Sequence, residues 1–218
     1  MGSSIGSSMS PFNHGWARMN TNQTPAPCRT RRGGASSVHN RHRNLKIDSL
    51  HRARIVRGIK IRIREACLPD APIIAEFNRR MAWETERLQL DLEVLRKGVT
   101  AVLSDVTKGT YYVAETNGAV VGQLMITYEW SDWRNGNLWW IQSVFVKEEF
   151  RGQGVFRTLF KHLENLARSS DGVVGLRLYM HADNKAARQT YERLGMKHSE
   201  YEVFEVDFVL NRNRETLA

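Results

Sequence analysis

The 218-residue chain is 41% hydrophobic and 25% charged, enough to bury a core, and its formal net charge is +9. No apolar run approaches the length of a bilayer-spanning helix, so no membrane partner is expected. Cys28 and Cys67 stand in unlike contexts and the seven histidines form no H-E-x-x-H or similar spacing, so neither a disulfide framework nor a metal site is expected.

The charge is not spread evenly. Residues 1–58 carry ten basic residues and one acidic residue, Asp48, which accounts for all of the net charge. Residues 59–218 carry 22 basic and 22 acidic residues and are neutral, which argues against a nucleic-acid partner for the folded part. The stretch 1–58 is rich in Ser, Gly, Asn and Arg and lacks apolar periodicity until about Leu45, so it reads as a basic, disordered or targeting extension. Three accounts stay open: an organelle transit segment, an Arg-rich nucleic-acid arm, or a start placed too early, with Met9 or Met19 as later candidates. Phe12 and Trp16 alone interleave aromatics with the arginines, which weakens the second account. A cytoplasmic location is expected unless 1–58 directs the chain to an organelle.

Within 59–218, Ile59, Ile61 and Ile63 alternate with Lys60, Arg62 and Arg64, which predicts a half-buried strand. Pro69 to Pro72 opens a helix with Ile73, Ile74, Phe77 and Met81 on its buried face. Asp91 caps a second helix whose face is Leu92, Leu95, Val99, Val102, Leu103 and Val106, with Gly109 ending it. Tyr111–Glu115 and Ala119–Thr127 are strands joined by an Asn117-Gly118 hairpin turn. Glu129 to Gly136 reads as a loop heavy in aromatics and charges. Leu138–Val146 is the next strand, and a helix follows from about Gly152 to Arg168. Val173–Met180 is a strand in a parallel crossover. Asp183 or Asn184 caps a short helix that stops at Gly195, and Tyr201–Leu210 alternates again and closes the sheet. The fold class is α+β, with a mixed sheet of six or seven strands flanked by helices.

Arg151, Gly152, Gln153 and Gly154 lie between a strand and a helix. Two glycines there let main-chain N–H groups curl inward at a helix N-terminus, a turn suited to a phosphate or pyrophosphate. A tight turn packed under a sheet would show the same glycines. The run R-G-Q-G-V after an apolar strand resembles the acetyl-CoA loop of the GNAT-superfamily N-acetyltransferases, [QR]-x-x-G-x-[GA]. Downstream, Asn184, Ala187, Tyr191 and Gly195 resemble that family's N-x-x-A-x-x-x-Y-x-x-x-G helix. One departure is plain: Phe156 stands at the [GA] position.

The resemblance implies acetyl-CoA as acyl donor and direct transfer to the primary amine of a small molecule. It places Arg151, Gly152, Gln153, Gly154, Val155, Phe156 and Arg157 at the pyrophosphate, and Val144, Phe145 and Val146 along the pantetheine arm. Asn184 would contact the cofactor, although an asparagine there also serves as a helix cap. Tyr191 would protonate the departing thiolate, as a phenol with a pKa near ~10 can. No general base is evident, because Trp139, Trp140, Ile141, Gln142 and Ser143 hold no carboxylate. Glu129 and Asp132 are the nearest alternatives, and Glu84 and Glu86 could line an acceptor cleft. Trp139 and Trp140 must face opposite sides of the sheet, one as core and the other as an aromatic wall for the acceptor. A CoA-binding or interaction module without turnover is the competing reading, and a homodimer stays open.

Overall fold

The computed structural model describes the backbone of residues 54–56 and the whole of residues 59–209. The expectations for the rest of 1–58 lie outside the described residues. Among the described residues, six strands form one sheet in the order β1 (Arg54–Val56), β2 (Ile59–Glu65), β3 (Thr110–Thr116), β4 (Ala119–Ser131), β5 (Gly136–Val146) and β6 (Val173–Leu178). Neighbours are antiparallel as far as β5, and β5–β6 is parallel. The mixed α+β sheet expected from the sequence is therefore present. β1 lies ahead of the boundary drawn at residue 58.

Among the described residues the α-helices are α1 (Ala71–Glu86), α2 (Leu92–Ser104) and α3 (Val155–Ser169), which pack on the sheet, and α4 (Lys185–Arg193), which follows β6. The alternation in β2 turns Ile61 and Ile63 inward toward α3, where Leu124, Ile126, Trp139 and Ile141 meet Leu159, Phe160 and Leu163. On the other face, Tyr111 and Val113 meet Ile74, Ala75 and Val99 of α1 and α2. Asp91 starts α2 as expected, its carboxylate accepting from Glu93 N at 2.7 Å. The β3–β4 turn holds Asn117 and Gly118 at φ 50° and 78°, the double positive φ that Asn-Gly favours.

Three local expectations are corrected. Strand β4 runs on to Ser131, so the turn is 132–135 alone and not the loop from Glu129 to Gly136 that the sequence pattern suggests. The charged and aromatic residues Glu129 and Trp130 lie on a strand whose end is exposed, and polarity there mimics a loop. Gly109 does not end α2, which stops at Ser104. It precedes β3, where a Cβ would come within 2.5 Å of the Ile126 carbonyl oxygen. Finally, 201–209 pair with no described strand, and Phe204 and Phe208 are 90% and 92% exposed. Alternation sets the faces of a strand, but a strand forms only when a neighbour's main chain pairs with it.

Candidate active site

The site begins where β5 outlasts its partner. Pairing with β6 ends at Ile141 and Leu178, yet β5 continues to Val146. Across β5, the register with β4 shifts: Gln142 faces Met125 and Phe145 faces Gln123, so Ser143 and Val144 both stand opposite Leu124. This is a β-bulge, and Ser143 adopts φ 50° within it. Beyond the bulge, Lys147 N donates to Val121 O of β4 at 2.9 Å. Main-chain direction alternates along a strand, so Phe145 also faces β4, while Val144 and Val146 present N–H and C=O groups to the open edge. Arg151 Nε reaches the Val146 carbonyl at 2.9 Å, as that direction requires. Side chains follow the same phase. Val144 and Val146 pack toward α3, and Phe145 stacks near Phe77 of α1 at 4.8 Å between ring centroids.

A buried polar chain ends on this bulge. Asn78 Nδ2 of α1 donates to the Tyr111 hydroxyl of β3 at 3.0 Å. Gln123 Nε2 of β4 donates to Asn78 Oδ1 at 2.7 Å and to the Ser143 carbonyl at 3.2 Å. The Ser143 side chain also hydrogen-bonds to Tyr111, and burial pushes that phenol's pKa up despite its two partners. Gln123 Oε1 has no partner among the described residues. An unpaired buried acceptor costs about 1–3 kcal/mol.

The loop and the first turn of α3 close the open end of β5. Gly152 and Gly154 hold φ 71° and 82°, which glycine adopts without a steric penalty. Among the described residues, no protein acceptor takes the N–H groups of residues 152–157. A Cβ at Gly152 would meet no atom within 4 Å, so space is open there. The base of α3 sits tightly: a Cβ at Gly122 would fall 3.0 Å from Val155 and 3.1 Å from the Phe145 carbonyl oxygen. That close approach sets the helix N-terminus beside Val146. Gln153 Nε2 is tied to the Glu149 carbonyl at 2.6 Å, and Arg151 also pairs with Glu84 of α1.

Asn184 Oδ1 accepts from Ala187 N at 3.0 Å, so its side chain caps α4. About two helical turns later, Tyr191 meets Phe156 edge-on, with ring centroids 5.6 Å apart and planes at 70°. The Phe156 side chain, where the motif has a small residue, thus supports the tyrosine ring. Burial pushes the Tyr191 phenol's pKa above its ordinary value.

The opposite face of β4–β6 carries the other candidates. Glu129 accepts from Arg177 Nη1 at 3.1 and 3.2 Å and from the Trp140 indole. Arg177 lies over the Trp140 ring, and Tyr179 flanks it at 6.1 Å. Gln142 Nε2 donates to Thr127 Oγ1 at 2.7 Å. Trp139 is core and Trp140 faces the α1 side. Glu129 sits opposite Leu138, four residues or about 14 Å along the strand from Gln142. Asp132 accepts from Trp133 N within the hairpin turn, and Trp133 is 83% exposed. Sequence reasoning does not reach the polar chain of Asn78, Tyr111 and Gln123, nor the contact between Phe156 and Tyr191, two residues it does name. Gln123 had a signal, a glutamine inside an apolar strand. The support of Tyr191 by Phe156 had none.

Comparison with known proteins gives a consistent picture. The family described as acetyltransferase (GNAT) matches residues 71–196. A solved structure of a possible acetyltransferase from Clostridium difficile is 47% identical, with a TM-score of 0.64, covering 69% of this chain and 99% of its own. An uncharacterised N-acetyltransferase of Methanocaldococcus jannaschii is 37% identical over 87 residues, covering 40% of this chain and 52% of its own length. A mycothiol acetyltransferase of Corynebacterium aurimucosum is 29% identical over 136 residues, covering 60% of this chain and 44% of its own. The chain thus spans about half the length of these curated relatives.

Proposed function

The chain belongs to the acetyltransferase (GNAT) family, and on that premise we propose that it transfers an acetyl group from acetyl-CoA to the primary amine of a small molecule by direct attack. One observation carries the reading. The open edge of β5 runs straight into six N–H groups at the start of α3 that no acceptor among the described residues takes. An extended amide-bearing arm that ends in a pyrophosphate matches both parts.

Bound acetyl-CoA supplies an acetyl group already activated as a thioester. The N–H groups of Gly152, Gln153, Gly154, Val155, Phe156 and Arg157 would hold the pyrophosphate, with the positive end of α3 behind them. Arg151 adds charge at the same loop. Val144 and Val146 offer main-chain donors and acceptors to the pantetheine arm, and the Val144 N–H is the donor proposed to polarise the acyl oxygen. Phe145 contributes its ring under α1, and Asn184 contributes through the start of α4. Tyr191 holds the proton for the departing sulfur. Its burial favours the neutral phenol, the form an acid needs.

The acceptor must arrive as, or become, a neutral amine. With a lysine-like pKa of ~10.4, about one molecule in 10³ is neutral at pH 7. Glu129 remains the acidic group proposed for the acceptor side. Its oxygens already serve Arg177 and Trp140, and it lies well along the strand from the bulge. We assign it to drawing the ammonium onto the Trp140 face, with the proton leaving through water.

A free-thiol release assay across an amine panel, run beside a calorimetric titration with acetyl-CoA, tests the proposal. Binding with amine-dependent thiol release is expected. Binding without release by any amine would instead support a CoA-binding module without turnover.

A further inference from the structure

We propose that Gln123 is a positioning residue that sets which main-chain N–H groups of β5 face the open edge, by pinning the bulge at Ser143. What that edge holds rests on the acetyl-transfer reading above. The pinning itself rests on geometry.

Gln123 is fully buried at the centre of β4. Methionine or leucine would fill that volume without a polar atom. The amide instead commits both hydrogens, to Asn78 and to the Ser143 carbonyl, and leaves its own oxygen without a partner among the described residues. Turning the amide over would set its oxygen against two acceptors, so the donors fix its orientation. Gln123 from β4 and Tyr111 from β3 meet Ser143 of β5, a non-glycine residue at φ 50°, and Asn78 from α1 joins the two to each other.

The bulge decides the phase of everything beyond it. Remove the extra residue and every later position changes sides. Val144 would then turn its N–H toward β4, and Phe145 would turn its own to the edge. The Phe145 ring would leave Phe77, its neighbour at 4.8 Å, for the α3 face. A network that holds Ser143 therefore holds the outward direction of Val144 and Val146, although none of its side chains reaches the edge.

Gln123→Met removes both donors and keeps the side chain's length. Two measurements read the result. Amide exchange of the unliganded variant should quicken at residues 142–146 and stay at the wild-type rate in α3. Turnover should fall by about 10²-fold, the loss typical of a misplaced reacting group. Affinity for desacetyl-CoA should fall by a clearly smaller factor, because only the contacts of the pantetheine arm to Val144 and Val146 are loosened and the α3 N–H groups are untouched. Tyr111→Phe removes one hydroxyl that serves Asn78 and Ser143 while leaving the Gln123 amide in place, and should reproduce a smaller part of both effects if the methionine variant does not fold. Wild-type exchange at 142–146 together with wild-type turnover in a folded variant would overturn the proposal. So would turnover and desacetyl-CoA affinity falling together by the same factor. A wild-type protein that releases no thiol with any amine would defeat the acetyl-transfer reading, and the exchange comparison would still decide the role of Gln123.

Discussion

The two halves of β5 are made of similar residues and do different work. From Asn137 to Ile141 the strand is paired on both sides, and its outward side chains are held by side chains: Trp140 by Glu129, with Arg177 over its ring. From Gln142 to Val146 one edge has no strand beside it among the described residues, one residue sits at positive φ, and an amide from β4 holds the main chain. Composition does not separate the halves, since both are apolar runs with one or two polar residues. The difference lies in where β6 stops. A parallel neighbour that ends early leaves N–H and C=O groups without a strand to pair with, and those are the groups proposed to bind the cofactor arm.

Substitutions in one half should leave the other half's readout alone. The largest effect is expected from Gly154→Glu, beside the open half. A carboxylate about 4 Å from a bound phosphate opposes it by about 4 kcal/mol at an effective dielectric of 20, close to 10³-fold in affinity. The positive φ of 82° adds strain for any side chain. Calorimetric titration of a folded variant should show acetyl-CoA binding lost, and unchanged affinity would remove the loop from the site.

Next in size is Tyr191→Phe. Turnover should fall about 10²-fold while acetyl-CoA affinity holds, because a proton donor to the leaving group acts in the transition state. The pH profile carries a sign. Burial raises the phenol's pKa, so the neutral acid persists above the ordinary value of ~10. The high-pH limb of the turnover profile should therefore lie above pH ~10 in the wild type and disappear in the variant. Near-normal turnover would reduce Tyr191 to a ring packed on Phe156.

The smallest effect belongs to the paired half. Glu129→Gln removes a charge that is partly exposed and shared with Arg177, a setting in which ion pairs contribute at most about 1 kcal/mol. Half-saturation by the amine should need up to about fivefold more of it. Affinity for acetyl-CoA, which is proposed to bind along the other half, should not move. If turnover instead drops about 10²-fold or more, Glu129 is the base.

Much of the fold was legible because its signals are local. Alternation in Ile59–Ile63, Asn117-Gly118 and the cap at Asp91 each mark an element within a few residues, and the two glycines of 152–154 mark the loop. The bulge was not legible. Nothing in Gln142-Ser143-Val144 differs from an ordinary strand, and the register shift appears only against Leu124 of β4. Nor could the chain Tyr111–Asn78–Gln123 be read from sequence, since it joins a helix to two strands. Over 201–209 the local signal was present and misled, because a pattern of faces does not supply a pairing partner.

The central claim is that the open half of β5 and the first turn of α3 form one binding surface. Amide exchange of the wild-type chain, with and without saturating acetyl-CoA, tests it most directly. Exchange should slow at Val144, Val146 and residues 152–157, and stay unchanged at residues 137–141, which are already paired. Unchanged exchange across 144–157 at a concentration where binding is measured by calorimetry would contradict the account.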